Sequence, residues 1–477
     1  MTKGLGDLGP YPAYEDSGLP WLGKVPERWK VHRGKAIFQC IDSRSTTGKE
    51  ELLTVSSSRG VVPRSTANVT MFKAESYTGY KLCWPGDLVI NSLWAWAGGL
   101  GVSRHHGIVS SAYGVYRLCP AYRDYSSFIH ELVRSQPFNW ELKVRSKGIW
   151  ISRLQLTDES FLSAPFSLPP PEEQTAIVRF LDHSDRQIRR YIRVKQKLIK
   201  LLEEQKQAII HRVVTRGLDP NVRLKPSGVA WLGEVPEHWE VMALRRRWSV
   251  TDCKHLTVPF VTEGIPLASV RETQSFELDF KTSNHTTDEW YGKLIEGGRE
   301  PRKGDLIYCR NVSVGAAALV TCDKRFAMGQ DVCLIKSFSE SQRWLNYFLH
   351  SRVMASQLAV LQVGSTFSRI NVSDIKGLLI AVPPRSEQER IAAFLDEEFS
   401  KVDVAIGRCR QEIALLSEYR TRLIADVVTG KLDVREVATR LPVDIEEPDP
   451  VDDAGAVYEA TEGEAEDLDA TPEEADA

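Results

Sequence analysis

The stretch "PPPEEQTAIVRFLD" at 169–182 returns as "PPRSEQERIAAFLD" at 383–396, with identical residues at eight of fourteen positions and an offset of 214 residues. Each stretch begins with two prolines. Proline interrupts a helix or strand that precedes it, but it fits the first turn of a new helix. An apolar pattern of helical period then continues for about forty residues in each copy. The repeat therefore predicts two long related helices.

Two shorter stretches repeat as well. The first, called here the clip, is "WLGKVPERWKV" at 21–31 and "WLGEVPEHWEV" at 231–241, identical at eight of eleven positions. The second is "VVTRGLD" at 213–219 and "VVTGKLD" at 427–433. The chain is thus predicted to be a duplicated module. Two copies are fewer than a solenoid needs, so the duplication favours pseudo-twofold symmetry.

Start and stop signals frame each helix. Ser386 and Glu389 have the spacing of a capping box, and Gly217 and Gly430 stand where a C-terminal cap belongs. A helix from 172 to about 216 would be about 65 Å long at 1.5 Å per residue.

Apolar residues step by four and three along both helices, which is the seam of a coiled coil. The seam residues are Ile188, Ile192, Ile199, Leu202, Ile209 and Val213, and then Val402, Ile406, Ile413, Leu416, Leu423 and Val427. The third and sixth steps carry Lys195 and Lys206 in the first copy, and Cys409 and Arg420 in the second. These residues act either as polar register devices or as side chains whose stems lie along the seam.

The regions between the repeats predict mixed structure. Strands ending in turns are indicated at 84–94 and 302–320, and amphipathic helices at 128–135 and 343–358. Each region then closes with a polar loop and a strand, at 147–156 and 364–372.

The expected fold class is therefore α+β, with two domains of mixed α/β structure on two long helices. The predicted boundaries are an N-terminal segment with the clip at 1–30, a first domain at 31–168, a first helix at 169–219, a linker with the second clip at 220–241, a second domain at 242–382, a second helix at 383–433, and an acidic tail at 434–477.

Charge is distributed unevenly along the 477 residues. Residues 442–477 hold 15 of the 64 Asp and Glu and no Lys or Arg, so the remainder carries 49 acidic against 61 basic residues, a net charge of +12. The tail is too polar to compensate the entropy of folding, and we expect it to be disordered. Its expected role is solvation, with screening of the basic body from stray nucleic acid as the alternative.

Several kinds of protein are not indicated. No basic-apolar leader and no apolar run of membrane length occurs, which predicts a cytoplasmic protein. The eight cysteines show neither metal-ligand nor disulfide spacing, and we expect them reduced and buried. P-loop, dinucleotide-binding and HExxH motifs are absent, and "LPPP" at 168–171 and "VPPR" at 382–385 lack the polar and aromatic residues of an amino-methyltransferase motif. No active site and no metal site is predicted.

Together the WLGxVPExW clip, the PPxxEQ helix start and the long repeated helix resemble the DNA-specificity (S) subunits of type I restriction-modification systems. The resemblance covers about residues 11–433 and leaves the acidic tail outside. It implies that each variable region is a target-recognition domain for one half of a split DNA sequence. The two helices would form an antiparallel coiled coil that sets the gap.

The resemblance also implies partners. These are double-stranded DNA, two modification (methyltransferase) subunits and, where present, restriction (motor/nuclease) subunits, with no membrane involved. The chain itself would bind no cofactor, because S-adenosylmethionine, ATP and Mg belong to the partner subunits. Half-sites one helical turn apart, about 34 Å, fit a spacer of the estimated helix length.

Base edges are read best by Arg, Asn, Gln, Ser and Thr, whereas the basic body supplies phosphate contacts. Loop residues of these types, together with one Trp, one His and one Lys, are the candidates for DNA contact. In the first domain they are Ser57, Ser58, Arg59, Asn91, Ser92, Trp94, Arg104, His105, Lys147 and Arg153. In the second they are Arg310, Asn311, Ser313, Gln330, Ser365, Thr366, Ser368 and Arg369. The alternative for each is a turn cap or a solvated side chain.

Other features have structural interpretations. The clip tryptophans Trp21, Trp29, Trp231 and Trp239 are interpreted as buried anchors, because sequence reading must reside where the copies differ. The basic run from 186 to 200 either passes near DNA or is a solvated helix face. Two rival hypotheses remain: a free-standing bipartite DNA-binding regulator, and an enzyme with an unrecognised active site.

Overall fold

The computed structural model of the chain describes residues 8–57, 59–67, 76–148, 154–361 and 369–442. The chain divides into two compact units, unit 1 with residues 1–195 and 411–477, and unit 2 with residues 196–410. Within the described ranges, no helix combines the length and the apolar character that crossing a membrane requires.

Unit 1 contains residues 31–168, called here the first recognition region. Its strands are β1 (Tyr14–Asp16), β2 (Lys24–Pro26), β3 (Lys30–Arg33), β4 (Phe38–Cys40), β5 (Leu53–Ser56), β6 (Gly60–Pro63), β7 (Lys81–Cys83), β8 (Leu88–Ile90), β9 (Leu100–Val102), β10 (Gly107–Val109), β11 (Gly114–Leu118) and β12 (Pro165–Leu168). Its helices are α1 (Gly34–Ile37), α2 (Ser126–Arg134), α3 (Gln136–Arg145), α4 (Asp158–Leu162) and the first part of α5 (Pro171–Arg216).

Unit 2 contains residues 242–382, called here the second recognition region. Its strands are β13 (Leu224–Pro226), β14 (Glu234–Pro236), β15 (Glu240–Ala243), β16 (Ser249–Asp252), β17 (Ile265–Ala268), β18 (His285–Thr286), β19 (Leu306–Cys309), β20 (Ala317–Leu319), β21 (Ala327–Met328), β22 (Val332–Lys336) and β23 (Leu379–Val382). Its helices are α6 (Asp288–Ile295), α7 (Gln342–Leu349), α8 (Arg352–Leu361), α9 (Val372–Gly377) and the first part of α10 (Arg385–Val428), while α11 (Arg435–Arg440) belongs to unit 1.

The two regions have the same sheet topology. The four-stranded sheet of unit 1 has the order β4-β11-β8-β9, and that of unit 2 has the order β16-β22-β19-β20. All neighbouring strands in both are antiparallel. A two-stranded pairing then joins the start of each region to its end, β3 with β12 and β15 with β23. The predicted duplication and α+β class are confirmed.

The long helices run antiparallel within each unit. In unit 1 Arg420 pairs with Asp185, and Lys195 Nζ lies 2.6 Å from Glu412 Oε2. In unit 2 Lys206 Nζ lies 2.7 Å from Asp403 Oδ1. Residue numbers on one helix rise as those on the other fall. Every predicted seam residue is buried or half-buried, and the three basic seam residues pair with carboxylates of the facing helix.

Each clip packs against the C-terminal end of the other copy's long helix. In unit 1, Trp29 is fully buried and lies beside Gly430, just after α10. In unit 2, Trp239 is fully buried and lies beside Gly217, just after α5. Trp29 and Trp239 are therefore anchors, as expected. Trp21 and Trp231 are half-buried and pack at the edge of the same cores.

The helix ends confirm one capping prediction and correct another. Gly217 has φ of 74° and its N–H donates to the Val213 carbonyl, so it is the predicted cap. The capping box at Ser386 was wrong, because α10 begins at Arg385 and Ser386 lies inside the first turn. Glu389 instead pairs with Arg385 at 2.9 Å.

Three other expectations need correction. The helix predicted at 343–358 is two helices, α7 and α8, because Ser351 lies between them and its Oγ accepts from Met354 N at 3.4 Å. The strands predicted at the closing segments are only isolated bridges within the described residues, Lys147 with Gln155 and Asn311 with Arg369. All eight cysteines are free, yet Cys40 is exposed and Cys119 and Cys322 are half-buried, because they lie at sheet edges and turns and not in a core.

Candidate nucleic-acid interface

A glycine-aspartate turn leads into an interior strand of each four-stranded sheet, β8 in unit 1 and β19 in unit 2. Gly86 and Gly304 both have φ of 91°, a conformation that favours glycine, and their N–H groups donate to Ser103 and Val320 carbonyls at 2.9 and 2.8 Å. The following aspartate accepts from the backbone N–H three residues earlier, at 2.9 Å for Asp87 and 2.8 Å for Asp305. The turns therefore present the loops after β8 and β19 from equivalent positions of the two sheets.

In unit 1 the loop after β8 is held by its own polar groups. The Asn91 side-chain oxygen accepts from Leu93 N at 3.2 Å, and Ser92 Oγ donates to the Ala112 carbonyl at 3.2 Å. The Ser92 carbonyl accepts from Leu156 N at 2.9 Å, which ties the closing segment to the loop. Trp94 stacks on Trp96 with ring centroids 5.9 Å apart and remains half-exposed. The loop thus presents polar and aromatic groups on a fixed backbone.

The loop after β19 has the same backbone connection. The Arg310 carbonyl accepts from Ile370 N at 2.9 Å, and Asn311 bridges to Arg369. Ser313 N donates to the Asn311 carbonyl at 2.7 Å, and Gln330 Nε2 donates to Thr257 Oγ1 at 3.1 Å. Unlike Asn91, the Arg310 side chain is almost completely buried, with 4% of the residue exposed.

Arg310 lies beneath a histidine that sequence reasoning missed. Its Nη2 lies 3.0 Å from His255 Nε2, and its Nε lies 3.5 Å from Asp252 Oδ1. His255, Val312 and Asp331 are the non-glycine residues with positive φ among the described positions, and all three adjoin Arg310. Backbone strain of this kind is often concentrated at functional sites. No sequence motif marks His255. Only its backbone conformation and its contact with Arg310 distinguish it, and both are visible only in the structure.

Asp252, Cys253 and His255 also form a group whose possible metal-ligating atoms lie within 4.8 Å of one another. Cys253 Sγ lies 3.4 Å from His255 Nδ1, and burial raises the pKa of the Cys253 thiol. The guanidinium of Arg310 places a fixed positive charge beside the same ring, which disfavours a bound cation. The chemistry of the group therefore fits a hydrogen-bonded support for Arg310 better than a metal centre.

A cleft of about 880 Å³ opens in unit 1 between the first recognition region and the long helices. It brings together four predicted contact residues: Ser57, Arg59, Arg104 and His105. Six arginines and three carboxylates line it: Arg59, Arg104, Arg134, Arg186, Arg189 and Arg420, with Glu131, Asp182 and Asp185. This excess of positive charge suits an anionic ligand.

Arg134, at the end of α2, positions the loop that carries Ser57 and Arg59. Its Nη1 donates to the Leu100 carbonyl at 2.9 Å, and its Nη2 donates to the Ser57 carbonyl at 2.6 Å. Burial lowers the pKa of its guanidinium to about 10. Sequence reasoning missed Arg134 because it lies in an amphipathic helix, where an arginine normally indicates a solvated face.

Other titratable groups of the cleft are also perturbed. Burial, with help from Arg134 and Arg104, lowers the pKa of His130 to about 4, and the His130 Nδ1 accepts from Val102 N at 3.1 Å. Burial and the nearby Asp185 raise the pKa of the Glu131 carboxyl. Burial beside the cleft therefore favours the neutral form of His130 and disfavours ionisation of Glu131.

The remaining predicted residues are accounted for as follows. Lys147 forms a backbone bridge with Gln155, away from the residues named for the cleft. Five predicted contacts lie outside the described residues: Ser58, Arg153, Ser365, Thr366 and Ser368. All of the DNA contacts remain predictions.

The sequence has relatives of known type. Residues 265–408 match the family described as the type I restriction modification DNA specificity domain. The chain is 22% identical over 306 residues to the type I restriction enzyme MjaVIII specificity subunit of Methanocaldococcus jannaschii, covering 62% of this chain and 68% of that one. It is 24% identical over 177 residues to the type I restriction enzyme EcoBI specificity subunit of Escherichia coli, covering 36% of this chain and 34% of that one.

A solved structure supports the same fold. The chain superposes with a TM-score of 0.63 on one from a study of complex assembly and conformational transition of the type I R-M system. The sequences are 18% identical, and the superposition covers 86% of this chain and 99% of the other. At this identity the similarity establishes the architecture.

Proposed function

We propose, from the premise that this chain belongs to the family of type I restriction-modification DNA-specificity subunits, that its two recognition regions read the two halves of a split DNA target. DNA recognition is the role of the family, whose members are non-catalytic subunits, and this chain is likewise not an enzyme. The bipartite target, the direction of adenine methylation and the partner subunits are the parts that we propose.

The duplicated framework carries this proposal. Two sheets of identical strand order present loops from equivalent glycine-aspartate turns, and the loops differ in sequence. Two domains that recognise different base sequences need the same framework with different polar side chains. This is because contacts to base edges determine sequence specificity, whereas contacts to phosphates only position the protein on the DNA. The antiparallel helices would set the gap between the half-sites.

The partners complete the proposed activity. Two modification subunits would bring S-adenosylmethionine and methylate adenine, and restriction subunits, where present, would use ATP and Mg for translocation and cleavage. The alternative of a free-standing regulator predicts tight specific DNA binding by the purified chain alone. Our proposal predicts stable co-purification with a methyltransferase and weak specificity without it.

Adenine methylation in the source genome tests the proposal directly. We expect single-molecule sequencing to show a two-part motif that disappears when this gene is deleted and returns when it is restored. An unchanged methylome in a strain that expresses the complete system would contradict it.

Exchange of the second recognition region sharpens the test. Replacing residues 242–382 by the corresponding region of another family member should change one half of the motif and leave the other half and the gap unchanged. Replacing residues 31–168 is the matched experiment and should change only the other half. A change in both halves after either exchange would show that the regions do not read independently.

A further inference from the structure

The described chain ends against the first long helix. After α11, the Leu441 and Pro442 carbonyls accept hydrogen bonds from Arg179 Nη2 at 2.6 and 3.4 Å. Arg179 lies on α5 within unit 1, two turns before Arg186, which is the first cleft arginine on this helix. Residues 443–477, called here the acidic segment, therefore begin beside a defined place on this helix.

The acidic segment carries charge opposite to that of the cleft. It holds 15 Asp and Glu and no Lys or Arg. Four of the carboxylates fall in its first seven residues: Asp444, Glu446, Glu447 and Asp449. The charge is thus already dense where the segment leaves Arg179.

Arginines continue along the helix from the same point. Arg179 and Arg186 line one small cavity, and Arg186 and Arg189 line the large cleft. At 1.5 Å per residue, Arg186 and Arg189 lie about 10 and 15 Å along the helix from Arg179. These residues are spaced by seven and three, so they share one side of the helix.

The first acidic residues can reach all of these arginines. An extended chain spans at most about 3.3–3.6 Å per residue, so Asp444 reaches about 7 Å and Asp449 about 24 Å beyond Pro442. A segment tethered so close to its site has an effective concentration on the order of 1 mM. Even weak charge pairing would therefore give substantial occupancy.

We propose that the acidic segment, through residues 444–449, binds the arginine-lined cleft of unit 1. The cleft arginines already have carboxylate neighbours, Asp185 pairing with both Arg189 and Arg420. Six arginines against three carboxylates nevertheless leave an excess of positive charge that four further carboxylates can neutralise.

Competition with DNA follows, and this consequence rests on the proposed function. Arg59 and Arg104 are predicted DNA contacts and line the same cleft. A bound acidic segment would occupy them until a duplex displaces it. Nonspecific DNA, which gains only phosphate contacts, would be disfavoured more than a complete target.

Photo-crosslinking tests the contact without any DNA. The full chain carries benzoylphenylalanine in place of Glu446, and mass spectrometry maps the products. We expect crosslinks to residues 179–193 and to the cleft side of the first recognition region. Arg186→Glu should reduce their yield several-fold, whereas Arg190→Glu, an exposed arginine of the same helix that does not line the cleft, should not. Crosslinks spread over the surface, or equal effects of the two variants, would overturn the proposal.

DNA binding then tests the competition. Neutralising the near carboxylates (Asp444→Asn, Glu446→Gln, Glu447→Gln and Asp449→Asn) should tighten nonspecific duplex binding about fivefold at low salt. Neutralising four distant ones (Glu464→Gln, Glu466→Gln, Asp467→Asn and Asp469→Asn) is the matched control, because it changes the net charge equally. Equal effects would mean that only net charge acts, and would overturn the proposal. A chain that binds no DNA in any form would contradict the proposed function instead, while the crosslinks still decide this inference.

Discussion

The two clips have nearly the same sequence and the same place in their units, yet they use different partners. In unit 1 the Trp29 indole N–H donates to Glu173 Oε1 at 2.7 Å in a buried setting. In unit 2 the equivalent glutamate, Glu387, lies 2.7 Å from His238 Nε2. Trp239 Nε1 has no hydrogen-bond partner among the described residues. The fold therefore requires the ring at this joint, whereas the polar pairing around it has diverged.

The recognition regions differ in the same way. Strand order and turn geometry are common to both, whereas the side-chain partners of the turn are not. Asp87 forms two hydrogen bonds of 2.8 Å with Arg117, while Asp305 lies 3.6 Å from Lys336. A framework that depends on backbone hydrogen bonds and buried apolar groups can retain its shape while its polar residues change. Under the proposed function, this independence would allow the two copies to read different sequences.

Substitution of the clip tryptophans should give the largest effect. Trp29→Ala and Trp239→Ala should each lower the free energy of unfolding by about 3–5 kcal/mol, because both rings are fully buried.

The phenylalanine variants test the difference between the two clips. Trp29→Phe leaves the buried Glu173 carboxylate without its donor and should cost about 1–3 kcal/mol more than Trp239→Phe. Calorimetric unfolding measures the difference, with the exposed Trp140→Ala as a control. Equal losses for the two phenylalanine variants would show that the Trp29 hydrogen bond is energetically unimportant.

Local patterns predicted the parts of the fold that depend on local physics. Helical periodicity and proline placed α5 and α10, and glycine placed their ends, because these signals act within a few residues. The burial of Arg310 depends on packing against distant segments, so the sequence carried no readable signal for it. The break at Ser351 has a local cause, the contact of Ser351 Oγ with Met354 N, but the apolar periodicity continues across it and masked this signal. Loop composition selected Arg59 and Arg104 as separate candidates, and only the structure shows that both line one cleft. Composition also could not show that Arg134 holds the loop that carries Arg59.

Acidification should reveal a second difference between the copies. Burial lowers the folded-state pKa of His130 to about 4, below its ordinary value of 6.5, so the unfolded state binds more protons between these values. The contribution of His130 to the stability of unit 1 is therefore fully present above pH 6.5. It is lost as the pH falls towards 4, by up to about 3 kcal/mol. His350 in unit 2 is shifted in the same direction by burial against Phe276, without neighbouring arginines among its causes.

Unfolding at pH 7 and pH 5 tests this expectation. His130→Gln should flatten the pH dependence of the unit 1 transition, whereas substitution of the exposed His106 should leave it unchanged. Added salt should weaken the contribution of Arg134 and Arg104 to the His130 shift and leave His350 less affected. A pH dependence that survives His130→Gln would assign it to another group.

The turn aspartates should give the smallest effects and opposite signs. Asp87 is buried and bound to the partly exposed Arg117, so Asp87→Asn should destabilise unit 1 by about 2 kcal/mol. Burial raises the pKa of the Asp305 carboxyl, so its charged form is disfavoured in the folded chain at neutral pH. Asp305→Asn keeps an acceptor for Arg302 N and should be neutral or slightly stabilising at pH 7. Because the raised pKa makes the Asp305 contribution more favourable as pH falls, this advantage should disappear in acid. A double-mutant cycle with Arg117 and Lys336 measures both pairings, and equal coupling energies would show that the two turns have not diverged energetically.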